Sequence, residues 1–98
     1  MLFRSDPARQ VGETVENLTA LIAAARGGAA PSPEDIGHLT DVRVYLPRPA
    51  DAPTIAALVE RLCPGVSRME LAISQICRPE LLVEIEGVAT LAPATPRA

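Results

Sequence analysis

Between Asp6 and Gly28 the apolar residues Val11, Val15, Leu18, Ile22 and Ala25 recur three or four apart, and after Asp51 so do Ile55, Leu58, Val59 and Leu62. Each run predicts an amphipathic helix with a single apolar stripe. Such a stripe needs a cover, and the rest of the chain offers strands. "LTDVRVYLP" alternates Val42, Val44 and Leu46 against Asp41, Arg43 and Tyr45; "RMELAISQICR" and "ELLVEIEGVATL" follow as two more strands. Two helices cover one face of a sheet. The expected fold class is α+β, a sheet with both helices on one face, which places Leu18 and Ile55 opposite Glu84.

Local signals set the boundaries. Asp6 before Pro7 reads as an N-cap, and Gly27-Gly28 ends the first helix. "GGAAPSPEDIG" reads as a loop. Pro47 and Pro49 stop the first strand, Asp51 reads as the cap of the second helix and Pro64 closes it. A short turn at Arg78-Pro79 predicts that the last two strands form an antiparallel hairpin. "MLFRS", residues 1–5, is expected to be a non-native or disordered leader, 6–91 a single domain and 92–98 a disordered tail.

Ninety-eight residues bury only roughly 60–65% of the unfolded chain's surface, so partner surface would help this chain. The formal charge of −3 and the scatter of nine basic residues, all arginines, argue against nucleic acid or an anionic membrane surface as partner. No apolar run is long enough to span a bilayer and no secretory signal pattern is read, so the expected location is the cytoplasm. Cys63, Cys77 and the single His38 form no metal-ligand or disulfide spacing, and neither metal nor cofactor is expected.

The last strand carries two carboxylates among aliphatic residues. Alternation puts Leu82, Glu84, Glu86 and Val88 on one face and Leu81, Val83, Ile85 and Ala89 on the other. Arg43 and Tyr45 belong to the same polar face as Glu84. That face either meets water or lines a cleft against a second sheet, and in a cleft carboxylates, a phenol and arginines form a binding constellation.

The run "ICRPELLVEIEGV", Ile76 to Val88, resembles the C-terminal strand signature of the chorismatases, enzymes of Rid-like fold that release pyruvate from the enolpyruvyl ether of chorismate. "ARQVGETVENLTALI" and "DVRVYLPRPADAPTIAALVERL" look like that family's helix, strand and second helix, so the resemblance covers most of Pro7 to Leu91. It implies a Rid-like, chorismate-mutase-like sheet and no cofactor. Glu84 would be the general acid that protonates the ether's methylene carbon; burial among Leu82, Val83 and Ile85, with Glu86 as a neighbouring like charge, would hold its proton. Glu86 is then either a supporting acid or a surface residue. Cys77 matches the position of a pocket cysteine in chorismatases that form a hydroxybenzoate; its alternative is a small buried hydrophobe. Chorismate's two carboxylates call for arginine forks. Arg78 comes first, its alternative being an exposed turn residue, followed by Arg43 and Tyr45.

The wider Rid (reactive intermediate deaminase) superfamily gives the second reading: an enamine or imine deaminase, or a small-molecule-binding trimer with its site between subunits. There an arginine at the start of the penultimate strand holds the substrate carboxylate. Arg68 is near that place, one residue further from "VEIEG" than the pattern. The resemblance also implies an N-terminal β-hairpin that this sequence lacks, so the chain is expected to be the C-terminal portion of such a domain, completed by a missing N-terminal part or by a trimer.

Overall fold

Helix α1, Pro7–Ala25, starts where the sequence places it: the Asp6 carboxylate accepts the Arg9 backbone N–H at 3.2 Å, satisfying one of the helix's unpaired donors. It ends at Gly27, whose φ of +82° suits a residue without a side chain. The Gly27 and Gly28 N–H groups close back onto the carbonyls of Ala24 and Ala23 at 3.1 and 2.9 Å. The computed structural model describes residues 6–28, 30–76 and 81–91. The expected leader and tail lie outside them, as do Cys77, Arg78 and the turn at Pro79.

After one turn of 3-10 helix, Asp35–His38, strand β1 runs over Leu39–Leu46. A second short turn, Pro49–Asp51, leads into helix α2, Ala52–Leu62. Asp51 occupies the cap position without making the cap hydrogen bond. Its carboxylate instead accepts the Arg48 Nε–H at 2.8 Å, a competing local partner that the helix-start pattern does not reveal. Strands β2, Arg68–Ile73, and β3, Glu84–Ala89, complete the order.

The sheet order is β2-β1-β3, with β2 parallel and β3 antiparallel to β1. The predicted hairpin between the last two strands is therefore wrong: they lie on opposite edges, separated by β1. The chain leaves β1 at Leu46 and returns through α2 to pair Arg68 with Asp41. A parallel neighbour requires such a crossover, and α2 supplies it. With one edge of β1 taken, β3 pairs along the other, Tyr45 opposite Glu84 and Arg43 opposite Glu86.

Val11, Val15 and Ile22 of α1 and Ile55 and Val59 of α2 join Leu39, Val42, Val44 and Leu46 in one buried cluster, with Leu18 and Leu58 packed against it. Both helices thus cover the face opposite Glu84, as the stripes require. Leu82 departs from the alternation. It precedes β3, is buried, and donates its N–H to the Oε1 of buried Gln10 at 2.7 Å. Strand alternation does not hold outside the ladder that enforces it.

The loop after α1 is fastened by a charge. Asp35 is 2% exposed, and its carboxylate pairs with Arg26 Nε, accepts Arg26 NH2 at 3.1 Å and takes the Ser32 N–H at 2.8 Å. The Arg26 hydrogen bond, followed by that of Ser32, lowers its pKa to about 2. Since the folded value lies below the ordinary carboxylate value of about 3.9, this contribution is present above that pH and lost as pH falls towards 2. Chemical denaturation between pH 5 and pH 2 is expected to show a falling midpoint. In Asp35→Asn that acid-dependent fall should be smaller, even if the variant is less stable at neutral pH.

Candidate functional site

The uncovered face of the sheet is built in rows fixed by the strand register. Arg68, Asp41 and Val88 form the first row, Glu70, Arg43 and Glu86 the second, and Ala72, Tyr45 and Glu84 the third. The same alternation that sends Val42 and Val44 into the core sends these residues out. Gly87 lets β3 lie close here: a Cβ on it would come within 2.7 Å of the Asp41 carbonyl oxygen.

The middle row is linked across all three strands. Arg43 Nε lies 3.4 Å from Glu70 Oε1, and Arg43 NH1 lies 3.8 Å from Glu86 Oε1. Tyr45 donates its hydroxyl hydrogen to Glu86 Oε1 at 2.8 Å, and Arg43 NH1 lies 3.5 Å from the same hydroxyl. Hydrogen bonding to Tyr45 first, then the charge of Glu70, raises the Arg43 pKa above its ordinary value. These groups are exposed, so the network fixes orientation more than it stabilises the fold.

Of the residues the sequence singles out, Arg43, Tyr45, Glu84 and Glu86 share this face. Glu84 is exposed. The burial among Leu82, Val83 and Ile85 that was expected to hold its proton is absent from the single chain: Val83 and Leu82 are buried under the helices, whereas Glu84 points away from them. Tyr45 bonds to Glu86 and not to its register partner Glu84. Cys77 and Arg78 lie outside the described residues.

Arg68, exposed at the start of β2, makes no side-chain ion pair or hydrogen bond with a described residue, in contrast to Arg43. It stands at one end of a shallow cavity of about 350 Å³ lined by Asp41, Arg43, Glu70, Glu86 and Val88 among others. Glu84 stands at the opposite corner, four residues along and two strands across. At about 3.3 Å per residue and 4.8 Å per strand, the Cα atoms of Arg68 and Glu84 are roughly 16 Å apart. Among the described residues no cluster of His, Cys, Asp and Glu has the makings of a metal site. Cys63 is buried in the core, and burial pushes its thiol pKa up. No helix among the described residues is long and apolar enough to cross a membrane.

The three-stranded mixed sheet with two helices on one face matches the fold of solved Rid-family structures. Among solved structures, the chain is similar to YyfB from Yersinia pestis, a protein of unknown function of the conserved Rid family. The TM-score is 0.69 at 23% identity, over 93% of this chain and 67% of that one. It is also similar to a Salmonella typhimurium protein proposed to be a translation initiation inhibitor, with a TM-score of 0.67 at 19% identity, over 89% of this chain and 71% of that one. No family model and no curated protein matches the sequence. At these identities the likeness shows the fold alone.

Proposed function

We propose that this chain is a Rid-type small-molecule-binding subunit acting on 2-imino or 2-enamino acids, with its site completed by a facing subunit of a trimer. The observation that carries this reading is the contrast between the two arginines on the polar face. Arg43 is held by Glu70 and Glu86, while Arg68, unpaired among the described residues, offers a planar fork suited to one carboxylate. The distance from Arg68 to Glu84 supports a shared site, because a ligand seated in the Arg68 fork lies far from the Glu84 of its own chain. Deamination adds water to the imine carbon and releases ammonia, leaving a 2-oxo acid. The Glu84 of the facing subunit takes the proton from the attacking water and returns it to the nitrogen, which then leaves as ammonia, and the facing wall excludes bulk solvent.

Cleavage of chorismate, with Glu84 as general acid and Cys77 steering the ring chemistry, is the weaker reading. It asks for two carboxylate forks and a buried acid, and among the described residues the polar face of the sheet offers one unpaired fork and an exposed Glu84. One experiment separates the two: ammonia and 2-oxo acid are followed from an imino acid generated in place, and pyruvate is followed from chorismate. Imine turnover with no pyruvate from chorismate is expected. Pyruvate release would give the function to the chorismatase reading. Arg68→Ala is expected to weaken substrate binding by roughly 10-fold or more, the worth of a charged hydrogen-bond pair, while Arg43→Ala changes it less. Equal effects of the two substitutions would count against Arg68 as the carboxylate site.

A further inference from the structure

The two edges of the sheet are finished differently. Just before β3, Val83 is 3% exposed and within it Ile85 is partly covered, whereas on β2 the core-facing Leu71 and Ile73 are 42% and 54% exposed. Of the residues of β2 only Met69 packs against the helix-covered core, and Leu71 and Ile73 stand exposed. Among the described residues β2 pairs only with β1, so its outer backbone N–H and C=O groups have no ladder partner. No proline or bulge blunts this edge, and its charged side chains, Arg68 and Glu70, both stand on the polar face. Natural edges are protected by such devices unless something pairs with them.

We propose that β2 pairs with β2 of a second copy of this chain, antiparallel about a two-fold axis at Leu71, to make one continuous six-stranded sheet. A two-fold interface must be self-complementary, and in an antiparallel pair opposed residues share a face. Only same-parity registers are therefore allowed. Centring on Glu70 sets Glu70 against its own copy, two like charges directly opposed, and leaves Ile73 unmatched within the strand. Centring on Leu71 sets Leu71 against Leu71 and Met69 against Ile73 twice, all on the helix face, and sets Glu70 against Ala72 on the polar face. Centring on Met69 or Ala72 matches fewer residues of Arg68–Ile73. The Leu71 register alone covers all three apolar side chains of the edge without opposing like charges. It leaves the polar face and Arg68 open, so the pairing is independent of the function proposed above.

The test uses the full chain with Cys77→Ser to remove a background thiol. Under mild oxidation Leu71→Cys is expected to cross-link to itself, because directly opposed residues have Cα atoms about 4.5–5.5 Å apart, within disulfide reach. Glu70→Cys is expected not to, since its own copy lies on the diagonal, about 7–8 Å away. In sedimentation, Leu71→Lys should halve the assembled mass while the circular dichroism spectrum is kept. Cross-linking at Glu70 matching that at Leu71, an unchanged mass for Leu71→Lys, or a parent chain that remains monomeric at high micromolar concentration would each overturn the proposal. A monomeric parent chain would also count against the trimer-completed site, whereas the cross-linking and Leu71→Lys outcomes leave imine turnover untouched.

Discussion

The Glu84→Gln protein is expected to lose imine deamination by about 10²- to 10⁴-fold in kcat, with KM changed much less. The substitution keeps the shape and a hydrogen-bonding group but removes the carboxylate that accepts the proton of the attacking water. Because Glu84 is exposed and outside the packed cluster, the melting temperature should hardly move. Glu86→Gln is the informative comparison. It weakens the carboxylate that holds Arg43 and the Tyr45 hydroxyl, so a loss smaller than that of Glu84→Gln is expected. A Glu84→Gln protein with unchanged turnover would remove Glu84 from the chemistry and leave it a carboxylate standing in water on the open face.

The second large effect is on stability. Ile55→Ala is expected to cost about 2–5 kcal/mol, because Ile55, on the core-facing side of α2, is fully buried and its truncation leaves a cavity in the cluster shared with β1. For a domain of about 100 residues each kcal/mol moves the melting temperature by roughly 4–8 °C, so a fall of at least about 8 °C should be seen by calorimetry. Total stability of such domains is only about 5–15 kcal/mol, so this one substitution removes a large fraction of it. A fall below about 3 °C would mean that α2 is not docked as described. Leu21→Ala on α1, 66% exposed, serves as the control and should change stability little.

The helices and the central strand were legible in the sequence because their signals are local. Val11, Val15 and Ile22 mark one face of a helix by spacing alone, and Val42, Val44 and Leu46 mark one face of a strand. The Asp6 cap and the Gly27 stop act within a few residues of themselves. The sharing of one face by Arg43, Tyr45, Glu84 and Glu86 was legible for the same reason, since alternation along each strand fixes it once the core face is known. The Arg26–Asp35 fastening gave no such signal: the partners are nine residues apart across a Gly- and Pro-rich loop, and only the folded loop brings them together.

Pairing is where local reading stopped. Proximity in sequence favoured a hairpin for the last two strands. Which edge of β1 each takes depends on the α2 crossover and on where the helices settle, and these are non-local energies of packing. The exposure of Glu84 was decided in the same way. Its neighbours Leu82 and Val83 are as apolar as expected, but in the folded chain they turn towards α1 and the core while the carboxylate faces out. The contrast between Arg43 and Arg68 also needed the fold, because each has an acid opposite it, Asp41 beside Arg68 and Glu86 beside Arg43, and only the folded side chains show which ion pairs close. The sequence by itself determined the elements, their buried faces and the polar character of the sheet's open side, because periodicity is a property of each segment alone. The tertiary structure decided strand order, the exposed β2 edge and which arginine of the polar face makes no ion pair with a described residue, because these depend on contacts between segments far apart in the chain.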